Sequence, residues 1–233
     1  YNRSRKMMRG MKGDRRFRKQ MQSMMDLDDK TWEWGDSLDR RFAIIANRAP
    51  SSGNLNLNDL PGSGGRMDVI ARAINSALFL SHGIRDDTQI IVHLMGTGIP
   101  RRVFLDGGDL RGVRPDERSI SGHFKSLIKT PVPPIGRFES VSSGIRQSGG
   151  DIAQTLSEWQ DEGVKCYVLD IDGDDISDTT IEGKCGFILS DDLLLDLDRQ
   201  DIRGEVSISL GKTWLQGHSC ITIVHYHIDS QIQ

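Results

Sequence analysis

Three loops that follow strand-like segments carry side chains able to bind a ligand. They are Ser190-Asp191-Asp192, Gly211 to Leu215, and the acidic run from Asp170 to Asp175. In open α/β sheets, ligands bind beyond the carboxyl ends of the strands. We therefore expect these loops to form the binding region.

Two of these loops contain fragments of known motifs, but neither motif is complete. Gly211-Lys212-Thr213 ends like a phosphate-binding loop, yet Val206 stands where the motif needs its first glycine. The acidic run begins like a calcium loop, yet Ile181 stands at the twelfth position, where a glutamate is needed. We expect a solvated acidic turn and no bound metal.

The remaining nucleophiles and bases form no recognisable catalytic triad. Core packing accounts for His225 and His227, because both lie in the apolar run ITIVHYHI. Cys220 could be a reactive thiol or a small buried apolar residue.

Arginines accompany acids at two predicted helix starts, GSGGRMD (62–68) and RPDERS (114–119). Free backbone amides favour an anion there, and a guanidinium can bind phosphate with two hydrogen bonds. Helix capping would explain the same residues. Both interpretations remain open.

Composition separates a basic extension from an acidic body. Residues 1–25 hold nine Lys/Arg against one Asp, whereas the whole chain has a net charge of -3. We place the boundary after residue 39. Residues 1–39 are either a poorly ordered tail or an amphipathic helix for RNA or an acidic surface, and residues 40–233 form one domain. With an acidic body, RNA binding would depend on local arginines.

Other compositional features limit the class of protein. No apolar run approaches the roughly 18 residues that a membrane span needs. Three cysteines, at positions 166, 185 and 220, match neither a disulfide framework nor a zinc motif. We expect a cytoplasmic protein with no membrane span.

Alternating apolar runs predict an α/β fold with a mainly parallel sheet. One helix is predicted from Met67, with Ser63 as a cap and Gly83 as the stop. The proline-rich segment 130–136 predicts an extended hinge that divides the body into two halves. The other predicted elements are strands at 41–47, 88–96, 102–107, 165–171, 186–190 and 205–210 and helices at 115–129 and 151–161.

Several longer strings occur together and in order. They are RRFAIIANRAPSSGNLNLNDLPGSGGRMD, LFLSHGIRDD, GVRPDERSISGHFKSLI, FILSDD and ISLGKTWLQGHSCITIVHY. In residues 40–233 the chain resembles the archaeal tRNA (pseudouridine-54) nitrogen-1 methyltransferases of the SPOUT superfamily. The resemblance implies a Rossmann-like α/β fold with a trefoil knot in about residues 165–233, a homodimer, S-adenosyl-L-methionine bound in the knot, and tRNA as substrate. It also implies that ITIVHYHI is a helix, although its residue types favour a strand.

The resemblance assigns cofactor contacts to nine positions: Leu169, Ser190, Leu210, Gly211, Lys212, Thr213, Trp214, Leu215 and Cys220. Methyl transfer requires nitrogen-1 of pseudouridine to attack the methyl group while losing its proton. Asp68 is our candidate for the base that accepts this proton, and Arg66 and Arg118 are candidates for holding the RNA. Alternatively, Asp68 only stabilises the start of its helix.

The sequence leaves two other functions open. Related SPOUT enzymes methylate a pseudouridine in small-subunit ribosomal RNA, so that substrate is the first alternative. The second is a non-catalytic RNA-binding factor in ribosome assembly that has the fold but no methyl transfer.

Overall fold

The computed structural model describes residues 38–195, residue 202 and residues 205–231. The predicted basic extension 1–39 lies almost entirely outside these residues. The strands are β1 (Asp39–Ala46), β2 (Phe79–Leu80), β3 (Gly83–Ile84), β4 (Thr88–Leu94), β5 (Arg101–Asp106), β6 (Glu139–Ser142), β7 (Ile145–Gly149), β8 (Lys165–Asp175), β9 (Lys184–Ser190) and β10 (Val206–Ser209). The α-helices are α1 (Met67–Leu78), α2 (Glu117–Leu127), α3 (Ile152–Asp161) and α4 (Gly217–Gln231).

Eight strands form the central sheet, in the order β10-β8-β9-β1-β4-β5-β7-β6. The first five run parallel, and β5, β7 and β6 continue the sheet through antiparallel pairs. β1 lies between β9 and β4, and its residues Phe42–Ala46 are all buried. Such burial on both faces explains its uninterrupted apolar sequence. The predicted α/β class with a mainly parallel sheet is confirmed.

Helices cover both faces of the sheet. Buried residues of α1, α2 and α4 share one apolar core with one face of β1, and those of α3 share a second core with the other face. The aspartates Asp116 and Asp151 cap α2 and α3, since each side chain accepts a backbone N–H of the first turn. These caps explain why both helices begin close to the predicted positions.

Helix α1 confirms the predicted apolar stripe but not its predicted ends. Met67, Ile70 and Ile74 are buried as their spacing requires. Ser63 is not the cap, because the N-cap position is Arg66, which has a left-handed backbone and makes no side-chain capping bond. The helix ends at Leu78, because the chain turns there into the β2–β3 hairpin, which contains Gly83.

The proline-rich connector does not divide the domain. β5 precedes it and β7 follows it, and the two strands pair along Arg101–Leu105. Backbone hydrogen bonds therefore join the segments on either side, and the predicted two halves are wrong. The β6–β7 hairpin that follows the connector has no counterpart among the predicted strands.

Two other expectations meet different outcomes in the C-terminal part. The acidic run is not a turn, because all of Asp170 to Asp175 belongs to β8, and Asp174 and Asp175 are in register with β10. The ITIVHYHI segment is a helix, as the resemblance implied. Ile221, Val224 and Ile228 are fully buried, so packing outweighs the strand preference of these residue types.

Candidate functional site

A cavity of about 380 Å³ lies where β8 and β9 stop pairing. Its walls come from the middle of β8, the end of β9 with the residues after it, the loop after β10, and the first turn of α4. The volume falls within the roughly 300–1,000 Å³ of small-molecule sites. Its position at the carboxyl edge of parallel strands is the one expected for ligands in such sheets.

The structure brings most of the predicted cofactor positions together at this cavity. Lys212 is the exception, because it is exposed and does not line the wall. The predicted positions that do line it are Leu169, Ser190, Leu210, Gly211, Thr213, Trp214, Leu215 and Cys220. Leu169 and Leu189 make the inner wall apolar, and Trp214, at 66% exposure, stands at its open side.

The loop after β10 is shaped by a sharp turn. Gly211 has a φ of 117°, a backbone conformation that residues with a Cβ rarely adopt. Its N–H donates to Oγ of Ser209 at 3.2 Å, and that hydroxyl lies 3.1 Å from the carbonyl oxygen of Ile171. These bonds attach the loop to β8, so the two walls of the cavity are held together.

Asn47 attaches the end of β9 to the end of β1. Its backbone N–H donates to Oδ2 of Asp191 at 2.6 Å, and its side-chain amide donates to Ser190 Oγ and Asp191 Oδ1, both at 3.0 Å. The sequence motifs described above do not include Asn47 as a site residue. Its place directly after a buried strand, at the same sheet edge as the other loops, was the available signal.

A cluster of arginines and aspartates borders the cavity. Arg66 lines it and donates from Nη1 to Asp192 Oδ2 at 2.7 Å and from Nε to Asp68 Oδ1 at 3.1 Å. Arg72 donates to Asp68 Oδ2 at 2.6 Å, and Arg48 donates to Asp192 Oδ2 at 3.1 Å. Each aspartate therefore receives hydrogen bonds from two guanidinium groups.

Asp68 does not line the cavity, and its carboxylate is already bonded. Burial alone would raise its pKa, but the hydrogen bonds and charge of Arg66, together with the charge of Arg72, hold the pKa of Asp68 below its usual range. A carboxylate with a lowered pKa is a weak proton acceptor. The geometry favours Asp68 as a support for Arg66, and its role as the base stays a prediction.

Arg118 lies apart from this cluster on the first turn of α2. It is exposed, and its Nη1 is 3.4 Å from Oδ1 of Asn58. Its neighbour Glu117 reaches Arg72 at 3.6 Å, which places the start of α2 beside α1. Arg118 is thus open to solvent, but it does not border the cavity.

Two further titratable groups lie in the first turn of α4. Burial raises the pKa of the Cys220 thiol, so this cavity-lining cysteine is predominantly protonated at neutral pH. Burial and the charge of Arg72 lower the pKa of His218, and its buried Nδ1 has no hydrogen-bond partner among the residues that the structure describes. Both side chains are therefore predominantly neutral at pH 7.

Two features are absent from residues 38–195, 202 and 205–231. No helix there is long and apolar enough to cross a membrane. No group of three or more His, Cys, Asp or Glu side chains there could hold a metal ion.

The fold and site define an α/β protein with a small-molecule cavity at the carboxyl edge of its parallel strands, bordered by arginines. Residues 39–232 match the family described as "Putative SAM-dependent RNA methyltransferase", and the chain belongs to that family. The match covers nearly all of the domain that the structure describes.

Curated relatives agree with this assignment, and a solved structure shares the fold. The chain is 35% identical over 199 residues to the tRNA (pseudouridine(54)-N(1))-methyltransferase of Methanococcoides burtonii, covering 83% of this chain and 97% of that protein. The protein of the same name from Methanospirillum hungatei is 37% identical over 192 residues, covering 81% and 95%. The fold resembles Archaeoglobus fulgidus Nep1 bound to S-adenosylhomocysteine, with a TM-score of 0.59, 10% identity, and coverage of 82% and 98%.

Proposed function

We propose that this protein transfers the methyl group of S-adenosyl-L-methionine to nitrogen-1 of pseudouridine 54 in the T loop of tRNA. The main support is that eight of the nine residues which the family resemblance assigns to the cofactor line one cavity of suitable size. Two curated relatives named for this reaction align with this chain over 95–97% of their own length.

The residues present suit an adenosine-containing cofactor. Leu169, Leu189 and Leu215 provide apolar surface for the adenine ring, and the turn at Gly211 leaves backbone groups able to bond its edge. When bound, S-adenosyl-L-methionine supplies an electrophilic methyl group on a sulfonium. Most of the rate can then come from holding the nucleophilic nitrogen in line with that group. We propose that the residues after β9 and the loop after β10, which both line this cavity, belong to a trefoil knot.

RNA would approach from the side of the arginine cluster. Arg66 borders the cavity, Arg48 is half exposed, and Arg118 extends from the neighbouring helix. Guanidinium groups bind phosphate oxygens with paired hydrogen bonds. We assign Arg66 and Arg118 to the RNA and give Asp68 the role of orienting Arg66.

We also propose that the protein is a cytoplasmic homodimer. Trp214 at the open side of the cavity is 66% exposed, and Tyr226 on α4 is 75% exposed. Large aromatic side chains are enriched in protein interfaces, so a second copy placed here would cover them. The partner would then stand next to the cavity and could contribute to RNA binding.

The test combines cofactor binding with methyl transfer in one preparation. Isothermal titration measures the affinity for S-adenosyl-L-methionine, and transfer is assayed on tRNA transcripts with pseudouridine or uridine at position 54. We expect binding, and transfer only to the pseudouridine transcript. Binding with transfer only to small-subunit ribosomal RNA would contradict the tRNA assignment, and an absence of cofactor binding would leave a non-catalytic RNA-binding factor.

A matched pair of variants localises the cofactor. Leu215→Asp places a charge on the apolar wall, whereas Leu80→Asp places the same charge on an exposed side chain of β2. Only Leu215→Asp should weaken cofactor binding. Equal effects of the two variants would contradict the proposed position of the cofactor.

A further inference from the structure

Asp192 joins the arginine cluster to the cavity wall. Its Oδ2 receives hydrogen bonds from Arg66 at 2.7 Å and from Arg48 at 3.1 Å. The next three residues, Leu193 to Leu195, line the cavity. No residue of this cavity wall other than Asp192 forms an ion pair with Arg48 within the described ranges.

The bonds of Asp192 are exposed enough to be exchanged. The side chain of Arg48 is 50% exposed, that of Arg66 is 27% exposed, and that of Asp192 is 21% exposed. Arg66 also keeps its separate bonds to Asp68, which is only 10% exposed. An incoming anion can therefore replace Asp192 on Arg48 and Arg66 without disrupting the more buried pair.

An RNA phosphate is the anion that the proposed function brings to this place. It would compete with the Asp192 carboxylate for the same N–H donors, because both groups accept paired hydrogen bonds from guanidinium. If RNA displaces Asp192, Leu193 to Leu195 lose the ion pairs beside them. Binding free energies are linked, so a bound cofactor must weaken RNA binding by the same factor.

We propose that Asp192 is a positioning residue that holds Leu193–Leu195 at the cofactor and yields its arginine partners to an RNA phosphate, so that cofactor and RNA binding oppose each other. The inference rests on the proposed function. Because the ion pairs are partly exposed, the opposition is modest, about threefold to fivefold in each dissociation constant. One consequence is that bound RNA assists the departure of the spent cofactor.

The experiment measures the dissociation constant of S-adenosylhomocysteine with and without saturating tRNA. In the wild-type protein we expect tRNA to raise it about threefold to fivefold. In Asp192→Asn the dissociation constant of S-adenosylhomocysteine should already be raised without tRNA, since the amide cannot replace the carboxylate on two guanidinium groups. Saturating tRNA should then change this constant by less than about 1.5-fold. The control is Asp161→Asn, which removes the same charge from the exposed end of α3.

The reciprocal measurement uses tRNA affinity with and without S-adenosylhomocysteine. Asp192→Asn should bind tRNA more tightly than Asp161→Asn, because Arg48 and Arg66 no longer have the competing carboxylate. The inference would be overturned if tRNA weakened S-adenosylhomocysteine binding equally in Asp192→Asn and in the wild type. It would also be overturned if tRNA did not weaken this binding in the wild type. Either result would leave cofactor binding and methyl transfer intact. Failure of the wild type to bind the cofactor would instead overturn the proposed function and this inference with it.

Discussion

Replacement of Asp68 by asparagine tests the arginine cluster most directly. Oδ1 of Asp68 accepts a hydrogen bond from Nε of Arg66. Oδ2 of Asp68 accepts hydrogen bonds from Nη2 of Arg66 and from Nη2 of Arg72. An amide has one NH₂ group, which must face an arginine donor whichever way it is turned. The substitution therefore removes the charge and at least one hydrogen bond at almost constant volume.

The expected loss of stability follows from these contacts. Hydrogen bonds to charged groups contribute about 1.5–3 kcal/mol, and the 27% and 35% exposure of the two arginines places this cluster in the lower part of that range. We expect Asp68→Asn to lower the free energy of unfolding by about 1.5–2.5 kcal/mol at pH 7. For a domain of this size, that corresponds to a decrease in Tm of about 3–10 °C.

The stabilisation of the folded protein by Asp68 should decrease at low pH. The pKa of Asp68 is lowered in the folded protein, so its stabilisation is complete above the unfolded-state pKa of about 3.9 and is lost as the pH falls through the folded value. Urea unfolding of both proteins between pH 7 and pH 3 measures this difference. A difference below about 0.5 kcal/mol at pH 7, or one that does not shrink below pH 4, would refute the reasoning.

The same variant separates the two roles of Asp68 in methyl transfer. If Asp68 orients Arg66, Asp68→Asn should raise the KM for tRNA and leave kcat within about tenfold. If Asp68 accepts the proton, kcat should fall by about 10²–10⁴ with an unchanged affinity for RNA. We expect the first result, because a carboxylate paired with two guanidinium groups is a weak base.

Three other outcomes are expected. Gly186→Ala should lower the free energy of unfolding by about 1–3 kcal/mol, as measured by urea titration. The reason is that the Cβ of the new alanine would lie 2.5 Å from the buried ring of Trp159. Equal stability of the two proteins would mean that Trp159 can move. Burial lowers the pKa of His225 to about 3. The free energy of unfolding should therefore fall as the pH drops below about 6.5, and it should fall less steeply in His225→Asn. Parallel curves of stability against pH for the two proteins would exclude this histidine as the cause. Arg102→Met should lower the stability measured by thermal unfolding by about 3–5 kcal/mol, because Glu158 loses its ion-pair partner at 2.7 Å. The control Arg137→Met, which replaces an exposed arginine, should change that stability little.

The elements with a clear apolar period could be predicted from the sequence. α1 and β1 are buried as their patterns require, because an apolar stripe or run has few alternatives to the core. Helix ends were harder, since Ser63 is a good capping residue that the chain does not use at that place. The β6–β7 hairpin was missed because its strands are short and mostly polar, and pairing with β5 stabilises them.

The candidate site was only partly visible in the sequence. Strand ends located the loops, and the family resemblance named eight of the residues that line the cavity. The ion pair between Arg48 and Asp192 joins residues 144 positions apart, and no local pattern predicts such a pair. The roles of residues that act through long-range contacts, as we propose for Asp192, can therefore be identified only in the folded chain.

The backbone of Arg66 shows how closely the arginine cluster is built around the cavity. Arg66 is the one non-glycine residue with a positive φ, 66°, in the described part of the chain, a conformation that costs about 1–3 kcal/mol and persists only where its surroundings stabilise it. Gly65 before it packs so tightly that a Cβ would lie 2.2 Å from the carbonyl oxygen of Arg48. This turn brings Arg66 beside Arg48, where one aspartate can bond both. The strained residue borders the cavity, where we expect the substrate to bind, and its hydrogen bonds to Asp68 and Asp192 offset the strain.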